Sequence, residues 1–98
     1  MSIVTGMLND IRVVEIGQVL SAPYTGMIFA ELGAEVIKIE KPGSGDEARM
    51  MGPAFRHGAS MNFTDVNRGK RSVVLDLKSE QGVADLFAIL VTADVMVH

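Results

Sequence analysis

The chain has 98 residues, a formal net charge of −3 and no cysteine. A chain of this length forms one domain at most. The missing cysteines exclude a disulfide framework. The acidic balance argues against a nucleic-acid-binding protein, which normally carries a concentrated excess of Lys and Arg. The start of the chain lacks the basic and apolar regions of a signal peptide, and no apolar stretch is long enough for a membrane span. We therefore expect a cytoplasmic protein without a nucleic-acid or membrane partner.

The composition is unusually apolar for a small domain. Hydrophobic residues make up 48% of the chain, and the mean hydropathy is +0.28. A domain of this size buries only about 65% of the surface that its unfolded form exposes. The sequence therefore predicts apolar surface that meets either another chain or a missing part of this one, and we expect a homodimer.

Residues 11–16 and 35–40 have the β-branched, apolar composition of parallel strands that are covered on both faces. A predicted helix lies between them, from about Pro23 to Leu32. The short spacing of strand, helix and strand is typical of a parallel crossover. The first forty residues therefore predict one β-α-β unit.

The ends of this helix are marked by residues with special backbone preferences. Pro23 has the fixed φ angle that suits a first helical position, and either Ser21 or Ala22 is expected at the cap. Gly33 stands where a left-handed residue would close the helix.

Residues 41–69 are rich in glycine and predict a long loop, with a helical turn within residues 59–67. A third strand is expected at residues 72–77, followed by a helix that Ser79 caps and that ends near Ala93. Residues 94–98 open a fourth strand. The predicted fold class is α/β: a Rossmann-like parallel sheet of about four strands with two main helices, in the order β-α-β, long loop, β-α-β.

Ligands of open parallel sheets bind at the carboxyl ends of the strands, so residues 17–22, 41–46 and 75–78 should line one crevice. Lys41 lies beside a Gly-rich loop at a strand exit. It is either a phosphate-binding amine or an ordinary solvated lysine.

Glu40 stands where a ribose-binding acid would stand in a dinucleotide site, but the Gly-x-Gly-x-x-Gly turn of such sites is absent. Its alternative role is an ion pair with Lys38 or Lys41.

A basic cluster precedes the third predicted strand, and its members are Arg68, Lys70 and Arg71. The cluster is either a phosphate site or a solvated turn at the amino end of the strand, opposite the crevice. The sequence shows no pattern of a catalytic triad or a metal cluster, and we expect no metal.

Two segments, "LGAEVIKIEKPGSGD" and "NRGKRSVVLDLK", at this spacing closely resemble the N-terminal segment of the class III CoA-transferase family. That family includes formyl-CoA transferase and alpha-methylacyl-CoA racemase. The resemblance implies a Rossmann-like CoA-binding domain, in a two-domain enzyme whose two chains interlock, with coenzyme A or acyl-CoA as the ligand. The residues that it assigns to the CoA site are Gln18, Val19, Leu20, Ser21, Lys41, Val73, Val74 and Leu75.

The catalytic Asp of the family, by the same resemblance, lies beyond residue 98, and no residue of this chain is assigned a catalytic role. We therefore expect residues 1–98 to form a truncated CoA-binding domain that is inactive alone. The longer form of the loop after Asp46 favours a transferase over a racemase-like ancestor. Three alternatives stay open: an oligomeric interaction module that has lost the ligand, a fragment of an acyl-CoA racemase-like enzyme, and an enzyme whose chain continues.

Overall fold

The computed structural model describes residues 6–18 and 20–98. Within that part of the chain the elements are, in order, β1 (Arg12–Ile16), α1 (Ser21–Glu31), β2 (Glu35–Glu40), a 3₁₀ helix (Glu47–Met50), β3 (Phe55–Arg56), β4 (Ala59–Ser60), α2 (Met61–Asn67), β5 (Arg71–Val74), α3 (Glu80–Leu90) and β6 (Val95–Val97).

Four of these strands form one parallel sheet in the order β5-β2-β1-β6. The predicted α/β fold with a four-stranded parallel sheet is confirmed. Strands β3 and β4 form a separate antiparallel pair. The longest helices, α1 and α3, have 11 residues each. In the described part of the chain no helix is long and apolar enough to cross a membrane.

The two faces of the sheet have separate apolar clusters, because successive side chains of a strand point to opposite faces. On one face Val13 and Val36 pack with apolar residues of α1. On the other face Val14, Ile37 and Ile39 pack with apolar residues of α3. The core is thus two thin layers on either side of β1 and β2.

Helix α1 begins earlier than predicted. Its cap position is Leu20, which makes no side-chain hydrogen bond to the helix, so the prediction of a cap at Ser21 or Ala22 was wrong. The predicted end is confirmed in its geometry: Gly33 has φ of 100° and donates its N–H to the Ala30 carbonyl.

The prediction of one long loop over residues 41–69 was wrong in its extent. That segment contains the 3₁₀ helix, the β3-β4 pair and α2, and α2 confirms the predicted helical turn. Polar contacts order the segment: Asp46 Oδ1 accepts from Ala48 N at 2.9 Å, and the Ser60 hydroxyl donates to the Met51 carbonyl. The Arg49 guanidinium lies 3.9 Å from the centre of the Phe63 ring.

Strand β5 is shorter than the predicted third strand, because the chain turns at Asp76. The Asp76 carboxylate accepts from Lys78 N at 3.0 Å, and its carbonyl accepts from Ser79 N at 3.0 Å. Ser79 then caps α3, as predicted, by accepting from Gly82 N at 3.0 Å.

Helix α1 lies directly over β1 because Gly26 carries no side chain. A Cβ atom at this position would lie 2.1 Å from Glu15 Oε1 and 3.2 Å from Lys70 Nζ. Glu15 is fully buried, so its carboxylate has no open space to move into.

Gly26→Ala should therefore destabilise the fold. A Gly to Ala change inside a helix normally stabilises it by about 1 kcal/mol, but the overpacking here should reverse the sign and cost about 1–3 kcal/mol. Urea unfolding measures the difference. Thr25→Ala, at the exposed neighbouring position, is the control and should stay close to the wild type. A Gly26→Ala variant as stable as the wild type would contradict this packing.

Candidate ligand-binding cleft

A cleft of about 490 Å³ opens at the carboxyl ends of β1, β2 and β5. This is the edge at which open α/β sheets bind ligands, and the volume lies in the range of small-molecule sites. The lining residues come from three segments of the chain: Ile16, Gly17 and Gln18; Ile39, Glu40, Lys41, Pro42 and Asp46; and Leu75, Asp76, Leu77 and Lys78.

The lining combines apolar and polar groups. Ile16, Ile39 and Leu75 supply an apolar surface against which a flat aromatic base can pack. Lys41 and Lys78 supply two exposed ammonium groups that can contact phosphate. The cleft is therefore chemically suited to a ligand with an aromatic base at one end and anionic groups beside it.

Three of the residues predicted for the CoA site lie on this cleft, namely Gln18, Lys41 and Leu75. Leu20 and Ser21 lie at the start of α1 and do not belong to the lining. Val19 lies outside the described residues.

The two remaining predicted residues point to opposite faces of β5. Val73 packs into the cluster under α3, whereas Val74 is 60% exposed and lines a shallow depression beside the cleft. Lys41 also borders that depression, so it separates the two hollows.

Lys41 is half-exposed and forms a loose ion pair, with 3.5 Å between its Nζ and Glu47 Oε1. The backbone N–H of Glu47 donates to Gln18 Oε1 at 3.2 Å. The start of the 3₁₀ helix thus touches both sides of the cleft at its solvent side. An exposed pair of this kind is worth little and can yield to a ligand anion.

Glu40 pairs with neither Lys38 nor Lys41, so that sequence prediction was wrong. Its oxygens accept two hydrogen bonds from Arg49, both at 2.7 Å, and one from Asp46 N at 2.8 Å. The Ser72 hydroxyl donates to the same carboxylate. The Arg49 guanidinium, with these hydrogen bonds, lowers the pKa of Glu40 from 4.5 to about 2, against the opposing effect of burial. Glu40 is therefore ionised and held inside the wall of the cleft.

Lys38 was not predicted as a site residue, yet it is buried behind the cleft, with a side chain 1% exposed. Its Nζ lies 2.9 Å from Glu15 Oε2, 2.8 Å from Asp46 Oδ2 and 3.2 Å from the Gly17 carbonyl oxygen. An ammonium has three N–H donors, and here each has an acceptor. One buried cation therefore joins β1, β2 and the loop that follows β2.

Lys70 is the other cation on Glu15. The basic cluster was predicted as a phosphate site or a solvated turn, and neither describes Lys70, which is 2% exposed. Its Nζ lies 2.5 Å from Glu15 Oε1, 2.7 Å from the Pro23 carbonyl oxygen and 2.8 Å from Asn67 Oδ1. Burial lowers the pKa of Lys70, and the Glu15 carboxylate opposes that shift.

Glu15, Lys38, Asp46 and Lys70 thus form a buried quartet of two acids and two bases. The signal in the sequence was the alternation within the strands. Glu15 lies two residues after Val13, and Lys38 lies two residues after Val36, so all four side chains point to the same face of the sheet. Glu15 and Lys38 are paired directly in the β1-β2 register. The prediction that both strands are mostly apolar and covered on both faces did not identify these two buried charges.

The family profile of CoA-transferase family III matches residues 8–98. The chain is 42% identical to succinate–glutarate CoA-transferase of Agrobacterium fabrum, over 93% of this chain and 24% of that protein. It is 39% identical to succinyl-CoA:glutarate CoA-transferase of Mus musculus, over 93% of this chain and 21% of that protein. The chain thus spans less than a quarter of the length of these curated relatives.

Solved structures share the fold over most of this chain. A CAIB/BAIF family protein from Brucella suis superposes with a TM-score of 0.80 at 37% identity, over 88% of this chain and 24% of that one. The protein Rv3272 from Mycobacterium tuberculosis gives a TM-score of 0.81 at 39% identity, over 91% of this chain and 24% of that one.

Arg49→Met should remove an acid-sensitive part of the stability. The folded pKa of Glu40, about 2, is below its ordinary value of 4.5, so its ion pair stabilises the fold fully above pH 4.5 and is lost as the pH falls towards 2. At pH 7 the variant should be less stable by about 1–3 kcal/mol.

Urea unfolding of wild type and variant between pH 7 and pH 2.5 measures this difference, which should shrink below pH 4.5. The part of the stability difference that comes from the contact of the Arg49 guanidinium with the Phe63 ring does not depend on pH and should remain. Arg68→Met is the control, because Arg68 forms an exposed ion pair with Glu31, and its effect should be small at every pH. A gap between Arg49→Met and the wild type that stays constant down to pH 2.5 would contradict the assignment.

Proposed function

The chain belongs to CoA-transferase family III, as the N-terminal region of such an enzyme, and on this premise we propose that its cleft binds the adenosine and phosphate end of coenzyme A. The observation that carries the proposal is the cleft at the carboxyl ends of β1, β2 and β5, with Lys41 and Lys78 at its rim. Acyl-CoA is then the ligand class, and the CoA group is a substrate of the transfer reaction.

The lining suggests how the ligand would be held. The adenine ring would pack on the apolar residues at the ends of the strands, near Ile39 and Leu75. The phosphates would lie towards Lys41 and Lys78, whose ammonium groups are exposed. On binding, a phosphate would replace Glu47 as the partner of Lys41, and the exchange costs little because that ion pair is exposed and 3.5 Å long.

The reaction of the whole protein would be CoA transfer between an acyl-CoA and a carboxylic acid. The names of the two curated relatives point to dicarboxylates as the acyl class. We propose that residues 1–98 contribute binding and leave the covalent step to other residues. Two acids of the cleft wall support this, since Glu40 is buried against Arg49 and Asp46 against Lys38. A carboxylate in an ion pair of this kind is a poor nucleophile.

Coenzyme A at about 100 times its dissociation constant should stabilise the chain by about 2.7 kcal/mol, which for a domain of this size raises the melting temperature by roughly 10 °C. Lys41→Ala should weaken the binding about tenfold, because one phosphate contact is lost. Calorimetric titration with CoA and thermal unfolding measure both effects.

Arg71→Ala is the matched control. Arg71 is exposed and lies at the amino end of β5, whereas the cleft lies at the carboxyl ends of the strands. Its loss should therefore leave the affinity for CoA unchanged. The absence of any heat of binding or thermal shift with CoA would refute the proposed site. A loss of CoA affinity in Arg71→Ala as large as that in Lys41→Ala would indicate that the phosphates bind at the basic cluster and not at the cleft.

We further propose that the chain self-associates as a homodimer. A homodimer is also what the alternative function, an oligomeric interaction module without a ligand, requires. Two helices expose apolar residues at helical spacing. Helix α1 and its cap expose Leu20, Tyr24 and Ile28, and α3 exposes Phe87 with Val91 just past its end. Patches of this kind mark interaction surfaces in soluble proteins. The cytoplasmic location predicted from the sequence stays a prediction.

Sedimentation at micromolar concentration should give a mass of twice the 10.5 kDa of the chain. The paired changes Tyr24→Ser with Ile28→Ser and Phe87→Ser with Val91→Ser locate the interface, since the pair that lies in it should shift the protein to monomer. The other pair then serves as the control. A wild-type chain that stays monomeric at all concentrations contradicts the dimer.

A further inference from the structure

The two walls of the cleft are joined from behind by one ammonium group. Gly17, on the β1 side, and Asp46, on the β2 side, both line the cleft. The Nζ atom of Lys38 lies 3.2 Å from the Gly17 carbonyl oxygen and 2.8 Å from Asp46 Oδ2. Lys38 does not line the cleft, so it can reach a ligand only through these two walls.

Asp46 is held in the wall by every polar group that it offers to its surroundings. Its N–H donates to Glu40 Oε1 at 2.8 Å, and its Oδ1 accepts from Ala48 N at 2.9 Å, which starts the 3₁₀ helix. Its carbonyl oxygen accepts from Arg49 N at 3.0 Å, and its second carboxylate oxygen, Oδ2, lies 2.8 Å from Lys38 Nζ. The buried Lys38 charge therefore fixes Asp46, and with it the loop that carries Lys41.

We propose that Lys38 is a positioning residue that sets the separation of the two cleft walls and thereby the affinity of the cleft for its ligand. The inference rests on the proposed binding of CoA in this cleft. Without the ammonium, the buried Asp46 carboxylate would lose its 2.8 Å ion pair with Lys38, and breaking a buried ion pair is strongly unfavourable. The loop would then move to bring Asp46 to water, and the wall would move with it.

Lys70 offers a matched control inside the same quartet. Both lysines are buried, both contact the Glu15 carboxylate, and both have three acceptors within hydrogen-bond distance. The remaining partners of Lys70 are Pro23 and Asn67, which belong to α1 and α2 and not to the cleft. Lys38→Met and Lys70→Met therefore remove the same group from the same carboxylate, and only the first breaks the link between the cleft walls.

The experiment compares the two variants by calorimetric titration with CoA, at a temperature at which thermal unfolding shows each chain to be fully folded. Both variants should melt below the wild type. Lys38→Met should raise the dissociation constant about tenfold, and Lys70→Met by less than about threefold. Equal changes in the two dissociation constants would overturn the inference, because they would show a general effect of lost stability.

A ligand-free measurement separates this inference from the proposed function. In amide NMR spectra of the chain without CoA, Lys38→Met should shift the signals of Gly17, Glu47 and Ala48 more than Lys70→Met does. If the wild type binds no CoA, the proposed function fails and these spectra alone decide. Equal shifts in the two variants would then overturn the positioning role.

Asp46→Asn is the second variant, for the case that Lys38→Met does not fold. It keeps the shape of the side chain and an oxygen for Ala48 N, but loses the charge that faces Lys38. The same amide shifts and the same rise in the dissociation constant are expected. An Asp46→Asn chain with wild-type affinity and wild-type spectra would overturn the inference.

Discussion

Four buried charges that neutralise one another determine how the sheet, the helices and the cleft fit together. Removing one member would leave a charge without compensation in the interior, which costs far more than the pair itself gains. Each ammonium has three acceptor oxygens within 3.2 Å. In the quartet the Glu15 carboxylate lies between the two ammonium groups, and Lys38 and Lys70 reach from it to different elements.

This arrangement also selects the register of the two central strands. Glu15 lies directly opposite Lys38 when Val13 lies opposite Val36. A slip of one residue would carry Lys38 to the face that packs under α3, among apolar side chains. The same quartet explains the closeness of α1, since only a glycine at position 26 leaves room for the Glu15 carboxylate. Polar groups thus specify a geometry that the apolar clusters alone would leave open.

The sequence was sufficient for the sheet, for the capped start of α3 and for the edge at which the cleft opens, because these depend on local periodicity and on the general topology of parallel sheets. It was insufficient for the quartet. Lys70 and Glu15 are 55 positions apart in the chain, and no local pattern tells a buried lysine from a solvated one. The sequence also predicts an ion pair of Glu40 with a nearby lysine, Lys38 or Lys41. The partner in the structure is Arg49, which the 3₁₀ helix that Asp46 caps brings to Glu40.

The internal ion pairs also make an acidic chain compatible with an anionic ligand. Glu40 and Asp46 line the cleft, and either one as a free carboxylate would repel phosphate. Arg49 and Lys38 neutralise them from the protein side. Lys41 and Lys78 then present their charges to solvent. The acids Glu47 and Asp76 beside them are exposed, so water and salt reduce their effect. The chain can keep a net charge of −3 and still offer a local surface that attracts phosphate, because Glu40 and Asp46 are paired inward whereas Lys41 and Lys78 are exposed.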